Sequence, residues 1–170
     1  MSIDLVTWLP EDWKHPTCVP VGPDHHLRPI RATDVDLDLP AVMGSRERLW
    51  SLFGRVWGWP PAGMTREEDL ASLIRLEAET EAHESFDYAL LDRDETVLLG
   101  CVYVDPPAKV GADADVSWWV VDDVVGTDLE ARLDALVPAW IAREWPLRQP
   151  RFIGIDCTWD EWLELPDLAP

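Results

Sequence analysis

The residues best suited to chemistry are few, and they form no ready-made catalytic motif. Histidine and cysteine concentrate near the start of the chain, where the candidate metal ligands are His15, Cys18, His25 and His26. They lack the paired short spacings that a zinc site uses on both sides, so we expect no metal site. No Ser-His-Asp set and no glycine-rich phosphate loop stands out either.

The cysteines favour a structural role over a chemical one. Cys18, Cys101 and Cys157 are odd in number and far apart, so we expect free thiols and no disulfide framework. As a nucleophile, Cys101 would need a base and electropositive surroundings. Its sequence neighbours are apolar and the protein is acidic, which favours a buried thiol.

The charge balance excludes some classes of ligand. The 170 residues include 14 Lys or Arg and 33 Asp or Glu, a formal net charge of −19. Nucleic-acid binding depends on clustered basic side chains, so we expect none here. The same field attracts amines and basic proteins, although a solubilising acidic surface is the simpler interpretation. No apolar run approaches the ~20 residues of a membrane span, and the first residues lack a signal-peptide pattern; we predict a cytoplasmic protein.

Two regions differ in composition. Residues 1–26 hold four prolines together with Trp8 and Trp13. Proline at this density excludes a long helix, so we predict an extended arm that the two tryptophans anchor to the body. Residues 27–170 have the apolar content of one compact domain.

Helical periodicity marks three longer helices. One begins after Ser45, one runs from about Arg66 to Ala82 behind a Thr65–Glu68 capping box, and one covers 128–145. Pro138 predicts a kink or a division in the last of these. A shorter helix after Thr33 or Asp34 is predicted to end or restart at Pro40.

Strand patterns alternate with these helices. A short strand at 27–31 is followed by a hairpin of 86–91 and 96–104, then by strands at 114–121 and 151–155. On the 114–121 strand, the alternation predicts one face with Asp115, Ser117, Trp119 and Val121 and the other with Ala114, Val116, Trp118 and Val120. The long helix between the last two strands implies that they are parallel, and hence an α/β fold with a mixed sheet.

Four stretches in this order resemble the GNAT-type N-acetyltransferases. Leu27–Asp34 resembles the "LRPLRPED" strand, and Tyr88–Leu91 with Leu99–Tyr103 resembles the paired strands ending in "G-x-v". Ala114–Val120 resembles "AEIGYWV", and the helix after Gly126 resembles the one that follows the pyrophosphate loop. The resemblance covers roughly residues 27–155.

The resemblance implies a fold, a co-substrate and a site. It implies a single GNAT-like mixed β-sheet flanked by helices, acetyl-CoA as acetyl donor and an amine as acceptor. Asp115 matches the Glu of "AEIGY" and becomes the candidate base, with Ser117 beside it to orient a water. The candidate coenzyme cradle comprises Val120, Val121, Val124, Val125, Gly126, Thr127 and Asp128.

Departures from the family pattern leave a second function open. The family loop reads Q/R-x-x-G-x-G/A, but here only Gly126 fits a glycine position, and Asp122, Asp123 and Asp128 oppose an anionic ligand. After the last strand we do not expect the further helix and two strands that the family usually has. The alternative is a catalytically inactive GNAT-fold module that binds a small molecule or a basic partner. A homodimer is left open.

Overall fold

The computed structural model describes residues 7–169, and a six-stranded sheet forms its centre. Residues 1–6 and Pro170 lie outside the described residues. The first residues of the predicted arm, where we expect no signal peptide, are therefore not described. The strands are β1 Val19–Val21, β2 His25–Pro29, β3 Phe86–Asp92, β4 Leu98–Asp105, β5 Ala114–Val120 and β6 Pro150–Phe152. The helices are α1 Val35–Gly44, α2 Arg46–Trp57, α3 Arg66–Glu81, α4 Asp128–Glu144 and α5 Trp159–Glu164.

The sheet is mixed, as the sequence predicts. Its strands follow chain order from β1 to β6, and every neighbouring pair is antiparallel except β5 and β6, which are parallel. Helix α4 makes the crossover between that parallel pair. The predicted hairpin is formed by β3 and β4.

Helices cover both faces of the sheet and enclose two apolar cores. Helix α4 packs Leu133, Val137 and Trp140 against Val116 and Val120 of β5. On the opposite face α1, α2, α3 and α5 pack around Trp119. The predicted alternation of β5 is therefore confirmed. Among residues 7–169, no helix has both the length and the apolar character needed to cross a membrane.

The predicted end or restart at Pro40 is wrong, and so is the predicted division at Pro138, whereas the alternative of a kink at Pro138 stays a prediction. Pro40 lies inside α1, and Pro138 lies inside α4, which runs as one helix through 128–144. Each proline removes one backbone hydrogen bond, but the burial of Val42 beside Pro40 and of Val137 and Trp140 around Pro138 holds the helices together.

The segment assigned to the arm packs on the body and also contributes a strand. Trp8 donates its indole N–H to the carbonyl of Asp113 at 2.8 Å, and the ring centroid of Trp13 lies 4.7 Å from that of Trp145. Its last residues form β1 and the start of β2, so the sheet begins before residue 27. At the other end β6 stops at Phe152, short of the predicted residue 155.

Candidate active site

A cavity of about 450 Å³ lies between the sheet and the helices α1, α2, α3 and α5. Its walls combine aromatic rings with carboxylates. The aromatic residues are Trp57, Trp59, Tyr103, Trp159 and Trp162, and the aspartates are Asp38, Asp69, Asp87, Asp105 and Asp115. The cavity can therefore hold an organic molecule and present several acidic groups to it.

Strand register places the polar groups in rows on the cavity side of the sheet. Asp105 on β4 lies directly opposite Asp115 on β5, and Tyr103 lies opposite both Ser117 and, on its other side, Asp87. Since side chains alternate along a strand, these residues share one face. The sequence-predicted pair of Asp115 and Ser117 thus lies together at the cavity side.

Asp115 is buried but has partners for its charge. Its Oδ1 accepts a hydrogen bond from the Arg151 guanidinium at 3.1 Å, and its Oδ2 accepts one from the Ala108 amide at 3.3 Å. Only 11% of the Arg151 side chain is exposed, so the ion pair is shielded from water. Arg151 thereby supplies the counter-ion of the Asp115 carboxylate.

Asp105 is a cavity carboxylate that the sequence analysis did not single out. Burial, followed by the charges of Asp115 and Glu79, raises the pKa of Asp105 to about 7. Asp105 therefore has a carboxylate opposite it on β5, whereas the cation Arg151 pairs with Asp115. The signal available in the sequence is the alternation of β4, which puts Asp105 on the same face as Cys101 and Tyr103.

A second group of carboxylates lies deeper in the same cavity. Asp38, Asp69 and Asp87 are each at least 95% buried. Burial raises the pKa of Asp87 to about 8, although a hydrogen bond from Cys101 acts to lower it. Burial also raises the pKa values of Asp38 and Asp69, and the charge of Asp69 raises that of Asp38 further.

Strands β5 and β6 separate beyond Val116. They pair only from Ala114 to Val116, with one further hydrogen bond from the Ile153 amide to the Val116 carbonyl at 2.9 Å. Because backbone groups alternate along a ladder, the amides of Trp118 and Val120 point to this widened edge. Within residues 7–169 β6 offers them no partner.

The predicted coenzyme cradle runs from this edge to the start of α4. Gly126 has φ +78°, a left-handed conformation that suits glycine, and a side chain at that position would meet no atom within 4 Å. The amides of Val124, Val125 and Thr127 donate to carbonyls within the loop. The Gly126 amide donates instead to Glu130 Oε1 at 3.0 Å. Asp128 begins α4, whose first-turn amides have no partners within the helix.

Arg48 and Val124 change the charge and the exposure expected for the predicted coenzyme cradle. Arg48 of α2 pairs with Asp122 at 2.6 Å and also donates to the Val120 carbonyl, so a cation lies beside the acidic loop. The Val124 side chain is 8% exposed and belongs to the core beneath α4. Nothing in the sequence around the loop indicates Arg48, because it comes from a helix more than seventy residues earlier.

The remaining candidates lie outside this chemistry. Cys101 is buried, and burial raises the pKa of its thiol, which disfavours a thiolate nucleophile. His15 Nδ1 lies 2.9 Å from His83 Nε2. Across the described part of the chain, no three His, Cys, Asp or Glu side chains are grouped to hold a metal ion.

Comparison with solved structures identifies the architecture. A ribosomal-protein-S5-alanine acetyltransferase from Vibrio fischeri matches 83% of this chain and 76% of its own, with a TM-score of 0.63 and 16% identity. A ribosomal L7/L12 alpha-N-protein acetyltransferase in complex with coenzyme A matches 79% and 73%, with a TM-score of 0.63 and 16% identity.

A third neighbour is the microcin C7 self-immunity acetyltransferase in complex with acetyl-CoA and AMP. It matches 81% of this chain and 73% of its own, with a TM-score of 0.64 and 9% identity. No family model and no curated protein matches the sequence. The likeness therefore lies in the fold, and this chain has the fold of the GNAT-type N-acetyltransferases.

Proposed function

We propose that the protein is an N-acetyltransferase that uses acetyl-CoA and an amine acceptor. The observation that carries this proposal is the parting of β5 and β6 beside a cavity that contains the opposed pair Asp105 and Asp115. An open strand edge and a buried acid-base pair are what a thioester donor and an amine acceptor require of neighbouring sites. The fold neighbours named above, two of them with coenzyme A or acetyl-CoA bound, support the same activity.

The coenzyme fits the widened edge in part. The Trp118 and Val120 amides suit the amide-bearing arm of the coenzyme, and the first turn of α4 with Gly126 suits its pyrophosphate. Arg48 adds a positive charge at the loop. Glu130 opposes the fit, because its carboxylate already accepts the Gly126 amide. We propose Val120, Val121 and 124–128 as the holding segment on this basis.

The chain's own residues handle the proton. Acetyl-CoA supplies a thioester carbonyl, to which the amine nitrogen bonds as the carbon–sulfur bond breaks. The nitrogen must lose a proton, and Asp105, with its pKa near neutrality, is suited to accept it. Asp115, which pairs with Arg151, raises the pKa of Asp105 across the strand pair, and Ser117 is on the same face, suited to orient a water.

A thiol-release assay tests the proposal. The full chain is incubated with acetyl-CoA and a panel of primary amines, and free coenzyme A thiol is measured. We expect release that depends on both protein and amine, is lost in Asp105→Asn and is kept in Asp94→Asn, which removes an equal charge from an exposed turn. If acetyl-CoA binds but no amine causes release of coenzyme A thiol, the result supports the inactive binding module instead.

Three sequence predictions accompany this proposal. The acidic charge attracts an amine or a basic protein as acceptor and disfavours nucleic acid. The cytoplasmic location and the open choice between monomer and homodimer stay predictions from the sequence.

A further inference from the structure

The deep carboxylates of the cavity have no task in the proposed proton transfer. Asp38, Asp69 and Asp87 line the cavity away from the opposed pair on β4 and β5, and each is at least 95% buried. Asp87 Oδ1 and Asp69 Oδ2 are buried without a hydrogen-bond partner among the described residues. A buried acceptor left unpartnered destabilises the fold, so these oxygens are suited to a donor from outside the chain.

The cations around the cavity are engaged elsewhere. Arg75 lies on its wall, but its guanidinium pairs with Glu79 at 2.8 Å and is 60% exposed. Arg151 pairs with Asp115, and Lys109 pairs with Asp167 at 2.7 Å. The three deep carboxylates are therefore left without a protein counter-ion among residues 7–169.

The distribution of the acidic groups suits an elongated cation. The described residues include no group of three or more ligands placed to share one metal ion. Asp87 is instead displaced from Asp115 by two strands and two residues, which ordinary sheet spacings convert to roughly 12 Å between their Cα atoms. Two ammonium groups at the ends of one aliphatic chain can reach both places.

The cavity walls suit the chain between such ammonium groups. Trp57 and Trp159 lie edge to face with centroids 5.1 Å apart, and Tyr103 lies 5.4 Å from Trp57. Aromatic faces bind methylene groups and attract ammonium groups. Aromatic rings between two groups of carboxylates match an aliphatic diamine, in which a methylene chain joins two ammonium groups.

We propose that the acceptor is an aliphatic polyamine, with its second ammonium group bound by Asp87, Asp69 and Asp38 while the first is presented to Asp105. This inference rests on the proposed acetyltransferase function only for the fate of the first amine. The subsite itself binds the distal ammonium whether or not transfer occurs.

Calorimetry on the full chain tests the subsite with a matched pair of probes. 1,8-Diaminooctane and octylamine share one carbon chain and differ by one ammonium group. We expect the diamine to bind about tenfold more tightly or better, since a buried charge-assisted hydrogen bond exceeds one factor of ten in affinity. Equal affinity for the two probes overturns the proposal.

Substitutions locate the second ammonium. Asp87→Asn replaces a buried carboxyl group, whose pKa burial raises to about 8, with a neutral side chain of the same shape, so it should fold at least as well as the parent chain. We expect it to cut diamine affinity about tenfold and leave octylamine affinity unchanged. Asp69→Asn should act in the same direction, and Asp94→Asn should change neither probe. Diamine affinity that survives both cavity substitutions overturns the proposal.

The experiments distinguish failure of the diamine subsite from failure of the proposed acetyl transfer. Diamine selectivity without thiol release supports the subsite and contradicts the acetyltransferase function. Thiol release with equal affinity and equal rates for diamine and monoamine supports the function and overturns the subsite.

Discussion

At the scale of single residues, the opposed aspartates show how environment separates two identical side chains. Asp115 has Arg151 at 3.1 Å, whereas no cation pairs with Asp105 among the described residues. Burial and the neighbouring charge of Asp115 then raise the pKa of Asp105 to about 7. One member of the pair thus has a cation as partner, and the other exchanges its proton near neutral pH.

We predict that Asp105→Asn lowers the acetyl-transfer rate by at least about a hundredfold, the usual contribution of a positioned base. In the parent enzyme the rate should rise with pH through about 7, because Asp105 accepts a proton only when it is ionised. The variant should lack that rise. A steady-state pH–rate profile checks both, and a variant that keeps the rise near pH 7 contradicts the role of Asp105.

Residue-scale predictions from the sequence succeeded where a local pattern sufficed. The alternation of β5 put Asp115 and Ser117 on one face, and the structure confirms that face. Asp87 and Asp105 were not predicted because the cavity that they line is also lined by helices α3 and α5, which are not adjacent to them in sequence. Strand alternation indicates a side chain's direction but not what covers it.

At the scale of elements, the loop between β5 and α4 already has an anionic side chain bound at the start of the helix. The Glu130 carboxylate accepts the Gly126 amide at 3.0 Å, as an anion would at this helix start. A pyrophosphate group must displace it. The charges of Asp122, Asp123 and Asp128 predict repulsion of an anionic ligand, but Arg48 pairs with Asp122 and offsets part of that repulsion.

We predict that Glu130→Ala strengthens acetyl-CoA binding about threefold to tenfold, because it frees one amide and removes one nearby negative charge. Calorimetric titration of acetyl-CoA measures the change. The matched control is Glu67→Ala, which removes an exposed glutamate from the first turn of α3. Weaker binding in Glu130→Ala would show that Glu130 organises the loop and does not compete with the ligand.

Element prediction succeeded for long patterns and failed for short ones. The hairpin, the α3 capping box and α4 follow strong periodic or capping signals, and each is present. Strand β1 contains Pro20, which argues against a central strand but is tolerated here at the sheet's edge. Helix α5 has six residues, too few for periodicity to show.

At the scale of the whole molecule, part of the negative charge is buried and connects stability to pH. Carboxylates with raised pKa values, such as Asp87, bind protons in the folded state that they lose in the unfolded state. Their stabilisation is present in mild acid and is lost as pH rises through about 8. Glu95 has the opposite sign, because Arg28 and His26 lower its pKa to about 2.

We predict that the free energy of unfolding falls between pH 6.5 and 8.5, by up to about 1.4 kcal/mol per pH unit for each buried carboxylate still protonated. Asp87→Asn should flatten this slope. Urea denaturation across that range measures it. His15, whose pKa is lowered by burial and acts in the opposite sense, is present in both chains, so the difference between their slopes isolates Asp87. An equally steep slope in Asp87→Asn contradicts the assignment.

Backbone amide exchange at β5, followed by NMR with and without saturating acetyl-CoA, tests the central claim most directly. The claim is that the widened edge between β5 and β6 holds the coenzyme beside the acidic cavity. Trp118 and Val120 point to that edge, whereas Ser117 and Trp119 already face β4. We expect acetyl-CoA to slow exchange at Trp118 and Val120 and to leave Ser117 and Trp119 unchanged. Unchanged exchange at Trp118 and Val120 would contradict it.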